Sequence, residues 1–315
     1  MKNIQADIKS GNFKQVYLLY GEEAYLKQQY KQNLVKALNP DGDTMNFNHY
    51  EGKGIDVKQL IDLCETMPFF AERRVVLLED TGFFKNKCEE LADYMKELPD
   101  YLYLVFAETE VDKRNRMYKA VKACGSIAEF IRQDEKTLMR WAAGILGKAG
   151  KKITQRDMEL LLTKTGTDMG NLRMEMEKLI SYTEGRDVVT AEDIEEICTT
   201  QTTNRIFDMV RAVTEKNQKR ALELYYDLLT LKEPPMRILF LLAKQYRQLL
   251  LAKQFAAAGL AQTEIASKLG VPGFVVRNIT TCARAYTISE LEQAVKDFVD
   301  AEESVKTGRL EDKLS

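Results

Sequence analysis

The sequence predicts an α/β domain followed by all-α domains, and three observations carry that prediction. Short apolar runs alternate with segments of helical period as far as Ile131. After Arg132 the strand signals cease, and only amphipathic helical patterns continue. One polar tract, Thr199-Thr200-Gln201-Thr202-Thr203-Asn204, interrupts the helical region as a linker would. Three domains are therefore expected: an α/β domain over 1–132, a small helical domain over 133–200, and an all-helical domain over 201–315.

Val16-Tyr17-Leu18-Leu19-Tyr20 is a β-rich run closed by Gly21. Ala24 to Leu38 has Tyr30, Leu34 and Leu38 at helical spacing, and Asn39-Pro40-Asp41-Gly42 stops it. Strands are expected at Met45–Tyr50, Arg74–Leu78, Tyr101–Phe106 and Ser126–Ile131, with helices at Val57–Cys64, Cys88–Leu98 and Arg116–Ala123 between them. Strands alternating with helices imply right-handed crossovers and a largely parallel sheet of about five strands. Helices follow at Thr137–Leu146, Thr154–Thr165 and Met169–Tyr182, and a short one opens at Thr190 and Asp193. Beyond the linker the pattern is helical over 204–214, 217–231, 234–257, 262–269, 272–286 and 289–305. Ser289 and Glu292 suggest a capping box for the last of these.

The net charge of -2 gives no global attraction to nucleic acid or anionic membrane, so any such contact must come from local patches. Met1 to Ser10 is polar, which predicts no signal peptide, and no apolar run nears the ~18 residues of a membrane span. A cytoplasmic chain is expected. The five cysteines are dispersed, with no Cys-x-x-Cys pair to hold zinc. The single histidine, His49, reads as a strand residue, which leaves little material for a histidine-based triad or metal site.

Two places carry functional information. Met67-Pro68-Phe69-Phe70-Ala71-Glu72-Arg73-Arg74 precedes a buried strand, and Pro68 suits the first turn of a short helix. Adjacent residues on a helix point about 100° apart, so Phe69 and Phe70 cannot both face one core. One exposed ring beside a charged rim would suit an anchor for another protein's pocket. The residues alone leave open the alternative of two rings packed under a loop. The second place is Gly21-Glu22-Glu23-Ala24-Tyr25-Leu26-Lys27-Gln28, where a nucleotide-binding fold would carry its phosphate loop. The second glycine and the Lys-Ser/Thr pair are missing, and two carboxylates stand where phosphate oxygens would lie. Glu79-Asp80 after the apolar run Val75–Leu78 resembles a magnesium-holding strand end, but such acids are also ordinary loop starts.

Taken together these residues resemble the DNA polymerase III delta-subunit family of bacterial clamp loaders. The resemblance spans the chain, through Tyr17-Leu18-Leu19-Tyr20-Gly21-Glu22-Glu23, the Met67–Leu78 stretch, Asp112-Lys113-Arg114, Asp168–Leu179 and Ile265–Pro272. It implies a degenerate AAA+-like five-stranded parallel α/β domain, a small helical lid and a C-terminal all-helical collar. It also implies no bound cofactor, no ATP and no intrinsic catalysis, any polymerase activity belonging to the assembly. The implied partners are the sliding clamp, the gamma/tau and delta-prime subunits and, through the assembly, primed DNA. No membrane is implied, and the isolated chain is expected to be a monomer. By motif match the clamp-binding pair falls on Phe69 and Phe70, supported by Met67, Pro68 and Arg73. Arg173 falls near the phosphate-sensing arginine of active AAA+ lids and reads here as a surface or inter-helix residue.

Two rivals remain at this level. An active AAA+ ATPase would need the phosphate loop that Gly21–Gln28 lacks. A helix-turn-helix regulator would use Thr263–Ile279, with only Arg277, Asn278 and Thr281 placed to reach base edges. Non-specific DNA contact is expected, if anywhere, through Lys113, Arg114, Arg116 and Lys119 with Lys122, or through Lys148, Lys151 and Lys152.

Overall fold

A computed structural model describes residues 2–199 and 202–309. These form two compact units, dividing between Gln133 and Asp134. The expected break at 200/201 lies outside the described residues.

The first unit runs α1 (Lys2–Ser10), β1 (Val16–Tyr20), α2 (Ala24–Leu38), β2 (Phe47–Glu51), α3 (Val57–Glu65), β3 (Arg74–Glu79), α4 (Glu89–Tyr94), β4 (Leu102–Glu108), α5 (Arg116–Cys124) and β5 (Ser126–Glu129). All five strands are parallel, in the order β2-β3-β4-β1-β5. Helices cover both faces, so the central strands are apolar on both sides rather than alternating. Val16, Leu18, Val76, Leu78, Leu104 and Phe106 enter one buried cluster. Tyr17, Leu19, Val75, Leu77 and Val105 enter the other, with Leu34 and Leu38 of α2.

The second unit runs α6 (Glu135–Lys148), β6 (Lys152–Ile153), α7 (Gln155–Thr165), α8 (Met169–Tyr182), β7 (Val188–Val189), α9 (Ala191–Ile197), α10 (Thr202–Thr214), α11 (Gln218–Thr230), α12 (Pro235–Ala257), α13 (Gln262–Leu269), α14 (Gly273–Ala283) and α15 (Ile288–Lys306). Thr154 and Thr190 cap α7 and α9 by accepting from the amides of Asp157 and Asp193. The long helix α12 packs against α15, α14 and α10. Tyr246, Leu249 and Ala252 of α12 meet Val276, Ile279 and Leu291 in the core of this bundle.

Several expectations are corrected. Residues 66–73 form neither helix nor strand, because side chains from elsewhere hold their backbone groups in place of helical bonds. A helix for which the sequence reading made no assignment, Lys2–Ser10, is tied down by buried Ile4 and by the Tyr17 hydroxyl donating to Asp7 at 2.9 Å. Strand structure does continue past Arg132, as the parallel pair β6–β7, whose two-residue strands are too short to show any periodicity. The Cys88–Leu98 segment is helical only to Tyr94, after which Lys96 and Glu97 donate to carbonyls three residues back. The last helix begins one residue early, at Ile288, and its capping box is formed by Thr287 and Glu290, not Ser289 and Glu292.

At the end of β1, Gly21 has φ +125°, and an added Cβ would lie 2.3 Å from the Phe130 carbonyl oxygen. Gly21→Ala should therefore lower the unfolding free energy by about 2–3 kcal/mol, read by denaturant titration of the whole chain.

Candidate functional site

The segment joining α3 to β3 is the most exposed apolar feature of the first unit. Met67 is 74% exposed, Phe69 57% and Phe70 95%. The two rings stack edge to face with centroids 4.5 Å apart. Phe70 has φ +50°, a conformation that costs a non-glycine residue of order 1 kcal/mol. A strained, solvated aromatic pair contributes nothing to a core, so packing does not account for it.

Polar side chains hold this shape. Asn46, just before β2, is 3% exposed. Its Oδ1 accepts from the Phe69 amide at 2.6 Å, and its Nδ2 donates to the Phe69 carbonyl at 2.8 Å. The same Nδ2 donates to Asp43 Oδ2 at 2.5 Å, which lowers the Asp43 carboxyl below its usual range. Buried Arg74 closes the other side: its Nε donates to the Thr66 carbonyl at 2.8 Å, and Nη2 reaches the Met67 carbonyl at 3.3 Å. Its Nη1 bonds Asn48 Oδ1 at 3.2 Å. Both ends of the segment are thus gripped through backbone atoms, and the apolar side chains are left outside. Pro68 is half-buried. Arg73 lies over the rings of Phe13 and Tyr103, 5.2 and 5.4 Å from their centroids, so its charge is engaged within its own unit.

The other expected residues are less concentrated. Lys113 pairs with Glu129 at 2.8 Å and lies over the Tyr20 ring. Arg114 pairs with Asp112 at 3.1 Å, and Arg116 with Asp93 at 2.6 Å. Lys119 is exposed. Carboxylates accompany three of these four cations, which weakens any phosphate-seeking field there. In the second unit, Lys151 donates to the carbonyls of Thr183 and Arg186, and Lys152 pairs with Asp187. Arg173 pairs along its own helix with Glu177 at 2.7 Å.

The place of a phosphate loop lies at the opposite end of the sheet, beyond the C-terminal ends of β1, β3 and β4. Its polar side chains already have partners within the unit. Lys31 pairs with Glu79 at 2.6 Å, and His49 Nε2 sits 2.9 Å from the other Glu79 oxygen. Lys27 donates to the Glu108 carbonyl at 2.9 Å, and burial lowers its pKa. Buried Glu108 accepts from the Thr81 amide and hydroxyl at 3.1 and 2.6 Å, while burial raises its carboxyl pKa. Asp80 Oδ1 accepts from the Thr109 amide at 2.8 Å. Among the described residues no group of three His, Cys, Asp or Glu side chains is placed to hold a metal.

The helix-turn-helix-like pair α13–α14 is a packed element. Ile265, Val276 and Ile279 are buried against the bundle. Arg277 points its guanidinium at Glu135 and Glu159, at 3.9 and 3.6 Å. The side chain of Phe274 lies outside the described residues.

Comparison with known proteins identifies the family. The family model "DNA polymerase III, delta subunit" matches residues 17–130, and "DNA polymerase III delta subunit, C-terminal domain" matches 203–315. The chain belongs to the DNA polymerase III delta-subunit family. A curated relative, DNA polymerase III subunit delta of Bacillus subtilis, is 26% identical over 99% of this chain and 93% of its own length. A probable DNA polymerase III subunit delta of Aquifex aeolicus is 22% identical over 81% of this chain and 75% of its own. A solved Bacillus subtilis DNA clamp loader delta protein superposes with a TM-score of 0.66 at 24% identity, covering 99% of this chain and 96% of that one, so the fold is shared. The five-stranded parallel domain and helical C-terminal region are those expected of this family. No described helix is long and apolar enough to cross a membrane.

Asn46 and Asp43 escaped the sequence reading as parts of this site, and Arg74, which falls in the motif's charged rim, is buried instead of exposed. Asn46 grips backbone atoms 23 residues away, which leaves no side-chain pattern to find. Because the Phe70 ring is solvated, Phe70→Ala should change folding stability by less than about 0.5 kcal/mol. Phe84→Ala, in the same unit but fully buried, should cost about 3–5 kcal/mol in the same urea titration.

Proposed function

We propose that this chain is the clamp-binding subunit of a replicative clamp loader, engaging the sliding clamp and favouring its opening without binding ATP itself. The observation that carries the reading is the outward Phe69–Phe70 pair, held by a polar framework and covered by nothing among the described residues. Burial of two phenylalanine side chains in a partner's pocket contributes about 1.5–3 kcal/mol each, enough to form the hot spot of a modest interface. Met67 and Pro68 extend the apolar contact, and Arg73 braces the base of the segment.

Binding energy is the only resource such a subunit has. It opens a ring only as far as its affinity for the opened or strained clamp exceeds that for the closed one. The Lys31–Glu79 ion pair and the internal hydrogen bonds of Lys27 and Glu108, with the departures from a phosphate loop at Gly21–Gln28, favour the ATP-independent reading. Nucleotide on the neighbouring gamma/tau subunits would then time exposure of the docking surface. The second unit supplies the lid, over 134–200, and the collar that meets the gamma/tau and delta-prime subunits. Exposed Val213, Leu222, Tyr226, Phe240 and Val299 on collar helices offer apolar surface for that assembly. Any contact of Lys113, Arg114, Arg116 and Lys119 with primed DNA is secondary, given the carboxylate partners of the first three.

The test is a calorimetric titration against the sliding clamp of the same organism with nucleotide absent throughout. The wild-type chain should bind, and Phe69→Ala/Phe70→Ala should bind at least about 100-fold more weakly while remaining folded, the loss of roughly 3 kcal/mol that two truncated anchors imply. Binding that requires ATP, or that survives the double substitution intact, contradicts the reading.

A further inference from the structure

The docking pair differs from an ordinary exposed loop in where its order comes from. A four-residue apolar segment in water gains more by collapsing onto nearby apolar surface than by standing clear of it. Here the segment's backbone is gripped by Arg74 before the rings and by Asn46 at the rings themselves. Asn46 uses both ends of its amide on the two backbone groups of Phe69, at 2.6 and 2.8 Å. That pairing copies one rung of a strand ladder, made by a side chain. Asn46 is itself anchored on both sides: its carbonyl accepts from the Val75 amide at 2.9 Å, and its Nδ2 donates to Asp43. A bidentate grip on Phe69 sets the direction of the next peptide, and Phe70 takes up its left-handed φ of +50° immediately after it.

We infer that Asn46 is a positioning residue for clamp docking, holding Phe69 and Phe70 in their binding arrangement before the partner arrives, with Asp43 fixing the rotamer of Asn46. The inference rests on the proposed function and adds to it the origin of the pair's readiness. The side chain of Asn46 touches no partner; it acts by keeping the competent conformation populated. The apparent dissociation constant scales inversely with that population, and the loss falls on association rather than dissociation.

Two readouts on the full-length chain separate this from general damage. Backbone hydrogen exchange at Phe69 reads the grip with no clamp present, and surface resonance against the sliding clamp reads its consequence. Val121→Ala on α5, a buried position remote in the sheet from this segment, serves as the destabilised control. Asn46→Ala should speed exchange of the Phe69 amide and slow clamp association roughly ten-fold, with dissociation little changed. Val121→Ala should leave both readouts as in the wild type. Asp43→Asn, which leaves Asn46 in place, should give a smaller loss of the same kind and serves if Asn46→Ala does not fold. A wild-type chain that binds the clamp, with Asn46→Ala or Asp43→Asn associating equally fast, overturns this inference and leaves the proposed function standing. Equal loss in Val121→Ala also overturns it, because the effect is then one of stability. No clamp binding by the wild-type chain overturns the proposed function, and this inference with it.

Discussion

The bidentate bond between the Asn46 amide and the Phe69 backbone is the constraint on which the proposed docking surface depends. Without it, Met67–Phe70 would be an apolar segment of a surface connection, free to fold back over the edge of the sheet. The bond can form because β2 and β3 are parallel neighbours in register, Phe47 opposite Val75, which brings residue 46 beside the chain entering β3. A sheet-level fact is thus converted into the position of two aromatic rings. Arg74 supplies the second grip from the first residue of β3, so the sheet holds the segment from both flanks.

The two ends of this sheet differ in what they expose. The end beyond β1, β3 and β4, where related α/β folds seat phosphates, is filled by the chain's own ion pairs and hydrogen bonds. Glu79 ends a buried apolar strand as a magnesium-binding acid would, yet its oxygens are taken by Lys31 and His49. Unpaired buried charge is costly, and here Glu79 is paired with Lys31 and His49 while Glu108 is held by the Thr81 amide and hydroxyl. The opposite end carries the exposed aromatic pair, the docking surface proposed above.

Much of the fold was legible in the sequence. The central strands are continuous apolar runs, because helices cover both faces of the sheet, and the glycine and proline punctuation marked their limits. The misses have local causes. Lys2–Ser10 buries Ile4 only through contacts with Tyr17 and its neighbours, which a polar nine-residue window does not advertise. The strands at 152–153 and 188–189 are too short for any period. The Phe69–Phe70 pair was legible as a candidate, since two adjacent rings resist simultaneous burial on a helix. Its conformation was not, because the forces that shape it come from Asn46 and Arg74 acting on backbone atoms.

The central claim is that the Phe70 ring enters the clamp without nucleotide. The most direct measurement replaces Phe70 with a photoreactive benzoyl-phenylalanine and irradiates the chain with the clamp in nucleotide-free buffer. The same probe at Tyr226, exposed on α11, is the comparison. The account predicts a crosslink to the clamp from position 70 and none from position 226. Absence of a crosslink at 70, or its appearance only when ATP and the other loader subunits are supplied, would contradict it.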